Sequence, residues 1–258
     1  MDLLTVQGLT KTYKNSGEIV SAVQDVSFRI GAGECLGLVG ESGSGKSTLG
    51  RILLALERPD SGGVRLRGTS ILNLKNKALR DMRKQIQVVF QDPASSLNQR
   101  LPVWRSVMEA LDNFPEAVPP FLADVRHHRR DTAVRLLEMV GLGAEHMDRY
   151  PHELSGGQRQ RVAIARGISL MPKLLICDEP TSSLDVSVQA QILQLLKSMK
   201  TELGMACLFI SHDMAAVRYM SDRIIVLKEG RIVDEFASRH ILSEDRHEYT
   251  RQLVAVVS

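Results

Sequence analysis

The sequence has few cysteines and no apolar run long enough to span a membrane. Its three cysteines, Cys35, Cys177 and Cys207, each lie in an apolar strand-like run without paired spacing. We therefore predict small core residues, not disulfide partners or metal ligands. A spanning helix needs about 20 consecutive apolar residues, and residues 1–9 lack the basic and apolar regions of a signal peptide. We expect a soluble, cytoplasmic protein.

The sequence also lacks an excess of charge of one sign. Lys and Arg number 33 against 30 Asp and Glu, a formal net charge of +3. Charge therefore gives no indication of nucleic acid or an anionic membrane surface as a partner. The sequence contains no internal repeat and no low-complexity segment. A length of 258 residues suits one large α/β domain, or one domain with a small insert.

What the sequence does contain is a glycine-rich loop, Gly-Glu-Ser-Gly-Ser-Gly-Lys-Ser-Thr at residues 40–48, between an apolar run and a helical pattern. Glycines let the backbone approach an anion closely, so that N–H groups and the helix N-terminus face it. This is the pattern of a phosphate-binding P-loop, in which Lys46 would contact the β- and γ-phosphates and Ser47 would bind Mg²⁺. The alternative is a glycine-rich turn with an incidental lysine.

Upstream of the loop, partly alternating apolar patterns predict antiparallel strands at residues 1–9 and 22–30, joined by a turn region at 14–17. Tyr13 lies between these strands, where its ring can stack on a purine. An ordinary half-buried tyrosine is the alternative interpretation.

Polar side chains follow three apolar runs, at the strand ends where open α/β sheets collect ligand-binding residues. The runs 86–90, 174–177 and 206–210 are followed by Gln91, by Asp178 and Glu179, and by Ser211 and His212. Successive strand side chains alternate, so we predict Asp178 in the Mg²⁺ shell and Glu179 aligning or deprotonating a water molecule. His212 can hydrogen-bond a γ-phosphate, with Asp213 as an N-cap behind it. A solvated Gln91 and a structural His212 are the alternatives.

Residues 97–150 have a different character and predict a helical insert. They contain four prolines, the only tryptophan and a basic cluster at 126–130. We interpret this cluster as a solvated helix face; nucleic-acid or metal binding by His127 and His128 is the alternative.

The segment Leu-Ser-Gly-Gly-Gln at residues 154–158 precedes another helical pattern. Ser155 suits an N-cap, and the two glycines permit close approach of a ligand to the positive helix end. This predicts a second anion site, although Ser-Gly-Gly also forms ordinary turns.

Taken together, these residues resemble the nucleotide-binding subunit of an ABC transporter. Six motifs occur in that family's order: the P-loop at 40–48, the Q-loop at Gln91, the signature at 154–158, the Walker B strand at 174–179, the D-loop at 182–185 and the switch at His212.

A finer resemblance, to the oligopeptide, dipeptide and nickel importer branch, is carried by residues 91–98, 151–161 and 185–193. Gln99 and Glu248 stand where that branch commonly has proline. The residues up to Ser258 do not include the cysteine-bearing C-terminal extension of many peptide-import members, and the short tail resembles metal- or metal-chelate-import members at least as well.

The resemblance implies an α/β P-loop ABC ATPase with a mainly parallel core sheet, an N-terminal antiparallel β-subdomain and a helical insert. One ABC ATPase domain, 1–258, would comprise a RecA-like core with the β-subdomain, at about 1–96 and 151–258, and a helical subdomain at about 97–150.

The resemblance also implies ATP and Mg²⁺ as cofactors. The implied catalytic residues are Glu179, His212, Gln91 and Lys46. The implied nucleotide-binding residues are Tyr13, which would stack on adenine, Gly40, Ser42, Gly43, Ser44, Gly45, Lys46, Ser47, Thr48, Gln91, Ser155, Gly157 and Gln158. The implied Mg²⁺ ligands are Ser47, Gln91 and Asp178.

The implied partners are a second ABC ATPase subunit, a paralogue by family precedent, in a head-to-tail dimer, two membrane permease subunits and an extracytoplasmic solute-binding protein, with no nucleic acid. The protein would be peripheral on the cytoplasmic face of the cell membrane, coupling ATP hydrolysis to uptake of a peptide or a nickel or metal chelate. The alternative is a soluble ABC-class ATPase associated with nucleic acid or translation. Such relatives carry a long coiled coil or tandem domains, and this sequence has neither.

Overall fold

The computed structural model describes residues 2–15 and 18–255. The chain divides into two compact units, Met1–Arg83 with Ala206–Ser258, and Lys84–Met205. Residues 16 and 17 of the predicted turn lie outside the described residues. The domain boundaries derived from the sequence stay a prediction. In the described part of the chain, no helix has both the length and the apolar composition required to cross a membrane.

Strands and helices are interspersed along the chain and parallel strand pairs are present, which confirms the α/β class. The strands are β1 (Asp2–Asn15), β2 (Glu18–Gly31), β3 (Cys35–Val39), β4 (Ser61–Leu66), β5 (Thr69–Ser70), β6 (Ile86–Val89), β7 (Leu174–Asp178), β8 (Ala206–Ile210), β9 (Arg223–Lys228) and β10 (Arg231–Ala237). The α-helices are α1 (Lys46–Leu53), α2 (Asn76–Gln85), α3 (Pro93–Ser96), α4 (Val103–Asn113), α5 (Arg129–Met139), α6 (Gly156–Ile168), α7 (Val186–Leu203), α8 (Met214–Met220) and α9 (Glu248–Ala255). Short 3-10 turns occupy Pro120–Leu122, Ala144–His146, Pro151–Glu153 and Ser238–His240.

The first unit contains the predicted antiparallel sheet, with strand order β2-β1-β4-β5. Leu4 pairs with Ile30 and Val6 with Phe28, and all four side chains are buried. β1 and β2 are longer than the apolar patterns predict, because main-chain hydrogen bonds continue the ladder through polar residues near Tyr13.

The same unit contains parallel strands, with β3 paired to both β8 and β9. Every residue of β3 and of β8 is buried, which explains their uninterrupted apolar sequences. Cys35 lies opposite Cys207 in this register, and both are buried, as is Cys177 in the other unit. The cysteines are core residues, as predicted.

In the second unit, β6 and β7 pair in parallel, with Val89 opposite Cys177. Helices α4 and α5 form the predicted helical insert and pack on α6. Buried side chains of α4 and α5 make this core, among them Val107, Leu111 and Leu136. This packing sets the position of α6, whose N-terminus carries the signature segment.

The basic cluster is not a solvated helix face throughout. Helix α5 begins only at Arg129, and the half-buried Arg126 precedes it. The guanidinium of Arg126 donates to the carbonyl oxygens of Ala117 (2.9 Å) and Leu111 (3.1 Å). The prediction is wrong for Arg126, because its side chain satisfies carbonyls at and beyond the end of α4 instead of facing water.

Candidate active site

The P-loop of the first unit connects β3 to α1, in the strand, loop and helix order predicted. Gly45 caps α1 with φ of 105°, a conformation that L side chains rarely adopt. A Cβ atom at this position would lie 2.1 Å from the carbonyl oxygen of Ala22. Only glycine therefore allows the loop to approach β2 this closely.

The side chain of Lys46 is held inside this loop. Lys46 is only 6% exposed, and its Nζ donates to the carbonyl oxygens of Gly40 (2.7 Å) and Glu41 (2.8 Å). Burying an ammonium group requires hydrogen-bond acceptors of this kind. The amine is thus held near the first residues of the loop, beside residues 41–43, which are exposed and accessible to a ligand.

Tyr13 lies next to the start of α1. Its hydroxyl is 3.5 Å from Oγ1 of Thr48, and Nζ of Lys11 lies 5.4 Å from its ring centroid. Burial and a hydrogen bond with Glu57 raise the pKa of Tyr13, so the phenol is neutral at physiological pH. The structure places an aromatic ring within reach of the P-loop helix.

His212 also belongs to this unit and is the second residue after β8. Its side chain is exposed. Asp213 is the N-cap of α8, and its Oδ1 accepts from the backbone N–H groups of Ala215 (2.8 Å) and Ala216 (3.1 Å). This confirms the predicted cap, which fixes the backbone on the C-terminal side of His212.

In the second unit, Gln91 and Glu179 meet. Nε2 of Gln91 donates to Oε2 of Glu179 over 3.2 Å. Glu179 follows β7 with φ of 48°, a left-handed conformation that costs a non-glycine residue about 1–2 kcal/mol and is concentrated at functional sites. Its carbonyl oxygen accepts from Oγ of Ser182 at 3.2 Å. The half-buried Asp178 is the last residue of β7.

The signature segment begins α6 with a reciprocal cap. Oγ of Ser155 accepts from the N–H of Gln158 (3.2 Å), and Oε1 of Gln158 accepts from the N–H of Ser155 (2.9 Å). The amide nitrogen of Gln158 lies 3.1 Å from Nε2 of His146. Because that nitrogen can only donate, Nε2 of His146 is the unprotonated ring nitrogen in this arrangement.

The structure gives a second reason for a glycine at position 157, the packing of a neighbouring helix. A Cβ atom here would lie 2.5 Å from Cγ1 of Val188 on α7. The sequence pattern indicated close approach of a ligand, whereas the structure shows close approach of a neighbouring helix.

The predicted site residues fall into two groups. Tyr13, residues 40–48 and His212 belong to the first unit, while Gln91, Ser155, Gly157, Gln158, Asp178 and Glu179 belong to the second. Sequence reasoning missed His146, which contacts Gln158, and Tyr249, whose hydroxyl contacts the backbone of Glu41. No local pattern marks either residue, because each is separated in sequence from its partner.

The chain is similar to known proteins over most of its length. A family model described as ABC transporter matches residues 23–182. The oligopeptide transport ATP-binding protein OppF of Streptococcus mutans is 44% identical over 257 residues, which cover 99% of this chain and 81% of the relative. The OppF protein of Bacillus subtilis is 42% identical over 256 residues, covering 99% and 82%.

A solved structure shows the same similarity in three dimensions. It is the dimeric, post-hydrolysis state of the ATP-binding cassette MJ0796 bound to ADP and Pi. The TM-score is 0.80 at 34% sequence identity, and the match covers 92% of this chain and 99% of the cassette.

Proposed function

Because the chain belongs to the ABC transporter family and is an ATPase of that class, we propose that it powers an import complex for peptides. Oligopeptide transport appears in the names of relatives that it matches over nearly its full length. Nickel or metal-chelate uptake, the other predicted cargo, stays a prediction.

The observation that carries the proposal is the buried Lys46 within the glycine-rich loop. A compact ammonium group at the head of this loop suits the β- and γ-phosphates, and the N–H groups of the first turn of α1 add to the positive field. The loop therefore fits ATP.

The residues proposed for Mg²⁺ have suitable donor chemistry. Ser47 presents an exposed hydroxyl at the start of α1, Asp178 a half-buried carboxylate and Gln91 an exposed amide. Hard cations prefer such oxygen donors. When bound, ATP would supply the reactive phosphoanhydride, and Mg²⁺ would neutralise the negative charge of its phosphates.

Four residues of this chain are proposed to act in hydrolysis. Glu179 orients or deprotonates the attacking water. Gln91 donates to Glu179 and so fixes its carboxylate. Lys46 stabilises charge on the phosphates, and His212 hydrogen-bonds the γ-phosphate. Positioning and electrostatics carry most of the rate.

The signature segment requires a second subunit in this proposal. Ser155, Gly157 and Gln158 at the N-terminus of α6 form the second anion site. We propose that it closes over the nucleotide held by the P-loop of a paralogous subunit, in a head-to-tail dimer. The dimeric state of the similar cassette supports this assembly. Since ATP contacts both subunits, its binding favours the closed dimer. Hydrolysis removes these contacts and allows the dimer to open.

The helical insert offers a surface for the membrane permease subunits. A groove in the second unit is lined by residues 95–98 and by Leu101, Arg105 and Glu109. Leu101 is 41% exposed, so an apolar contact is available beside charged side chains. We propose that a segment of a permease subunit docks there and holds this protein on the cytoplasmic face of the membrane. An extracytoplasmic solute-binding protein completes the complex, and nucleic acid has no part in it.

The proposal is tested by purifying the assembled complex and reconstituting it in liposomes. ATP hydrolysis should exceed GTP hydrolysis, and peptides presented with the binding protein should stimulate it. A chain that purifies without membrane proteins, or whose ATPase responds to metal chelates and not to peptides, would contradict the proposed cargo or assembly.

A further inference from the structure

The C-terminal helix α9 is tied to strand β10 through one carboxylate. Oδ2 of Asp234 accepts from Oγ1 of Thr250 (2.8 Å) and from the N–H of His247 (2.9 Å). Its Oδ1 lies 3.4 Å from Nη1 of Arg246. The Asp234 and Arg246 side chains are each 12% exposed, so this ion pair lies largely out of water, and the three contacts together fix the start of α9.

This attachment places Tyr249 against the P-loop. Tyr249 is 4% exposed, and its hydroxyl accepts a 3.0 Å hydrogen bond from the N–H of Glu41. The ammonium group of Lys228 lies 4.8 Å from the ring centroid, a cation–π contact that also restrains the ring. Burial raises the pKa of Tyr249, which keeps the hydroxyl protonated at physiological pH.

Glu41 in turn holds the P-loop lysine. Its carbonyl oxygen accepts from Nζ of Lys46 (2.8 Å) and from the N–H of Ser44 (3.2 Å). Glu41 is therefore restrained by Tyr249 through its N–H group, and it positions Lys46 through its carbonyl oxygen. Two successive hydrogen bonds, both within the first unit, connect Tyr249 of α9 to the amine that would meet the phosphates.

We propose that Tyr249 is a positioning residue for nucleotide binding: its hydroxyl fixes Glu41, and thereby presets Lys46, before the nucleotide enters. This inference rests on the proposed ATPase function. A preset loop binds more tightly because less conformational entropy is lost on binding. Without the hydroxyl, the partly buried N–H of Glu41 loses its acceptor and the loop gains alternative conformations.

The test compares Tyr249→Phe with wild type and with Tyr219→Phe, which removes a hydroxyl from the 45% exposed Tyr219 of α8. Binding of a non-hydrolysable ATP analogue is measured by calorimetry, and exchange of the Glu41 amide hydrogen is measured without nucleotide. For Tyr249→Phe we expect roughly three- to tenfold weaker binding, the range for one lost hydrogen bond, and faster exchange at Glu41. Tyr219→Phe should match wild type in both measurements.

A Tyr249→Phe protein that binds the analogue as tightly as wild type would overturn the inference, even if its thermal midpoint were lower. If Tyr249→Phe does not fold, the same measurements on Thr250→Val decide the question, since that variant removes one bond to Asp234. Unchanged affinity and exchange would then overturn it. Failure of the wild-type protein to bind the analogue would instead contradict the proposed function, so the two failures are distinguishable.

Discussion

The amide nitrogen of Gln91 lies 3.2 Å from a carboxylate oxygen of Glu179. The two residues follow β6 and β7, parallel neighbours in one unit, so the pairing depends on strand register and not on proximity in sequence. The hydrogen bond from the neutral amide restrains the orientation of the carboxylate. This arrangement supports Glu179 as the residue that handles water.

Replacing Glu179 by Gln tests that role. We expect ATP binding to be retained and the ATP-bound dimer to accumulate, while turnover falls by about 10²-fold or more, the usual contribution of general-base catalysis. Steady-state hydrolysis and size-exclusion chromatography with ATP measure both effects. Glu202→Gln, at an exposed position of α7, is the matched control. Unchanged turnover would remove Glu179 from this role.

Ser155→Arg tests the shared site. The substitution places a long cation at the N-cap of α6, where it would obstruct closure over a neighbouring nucleotide. We expect the isolated subunit to bind ATP normally, since its own P-loop is intact, and hydrolysis to be abolished. In a dimer formed in vitro from two copies of this chain, mixing Ser155→Arg with Lys46→Ala should restore activity, because the mixed dimer has one site with both residues intact. Normal hydrolysis by Ser155→Arg alone would contradict the model of a site built from two subunits.

Gly45→Ala tests the close approach of the P-loop to β2. Gly33 also has positive φ, at 72°, but a methyl group added there would have no atom within 4 Å. Gly33→Ala should therefore cost about 1–2 kcal/mol of unfolding free energy from backbone strain alone. Gly45→Ala should cost about 1–3 kcal/mol more, because its methyl group meets the Ala22 carbonyl and forces a backbone shift. Urea denaturation without nucleotide measures the difference, and equal losses would disprove the steric explanation.

The hydrogen bonds of the Asp60 carboxylate predict a pH-dependent contribution to the free energy of unfolding. The hydroxyl of Thr12 (2.8 Å) and then the N–H of Thr12 (2.7 Å) donate to its carboxylate, and these bonds lower the pKa of Asp60 below its ordinary value of 3.8. A carboxyl group whose pKa is lowered in the folded protein stabilises the fold at pH values above its pKa in the unfolded chain. This contribution is lost as the pH falls through the pKa of the group in the folded protein. Wild type should therefore lose stability below about pH 4.

Two variants isolate this effect. Asp60→Asn should flatten the acid side of the plot of unfolding free energy against pH, and Thr12→Val should flatten it partly, because it removes the first of the two bonds. Parallel curves for wild type and Asp60→Asn between about pH 2 and pH 5 would show that the carboxylate makes no such contribution.

Several elements follow from local sequence with little help from the rest of the chain. The P-loop is one contiguous segment, and a run of apolar residues before it and a helical pattern after it suffice to predict strand, loop and helix. Ser155 and Asp213 are likewise predictable as N-caps, because a cap bonds only to backbone two or three residues away. The boundaries of β1 and β2 are less predictable, since ladder bonds do not require apolar side chains.

The sequence by itself determined the order of the motifs, the buried strands and the family, because each depends on residues that are close together in the chain. Only the tertiary structure decided which distant residues support them. Tyr249 reaches Glu41 across 208 positions, and Gly157 meets Val188 through the packing of two helices. Such contacts depend on the relative placement of packed elements and on the directionality of hydrogen bonds, and neither property leaves a periodic or compositional signal in the sequence.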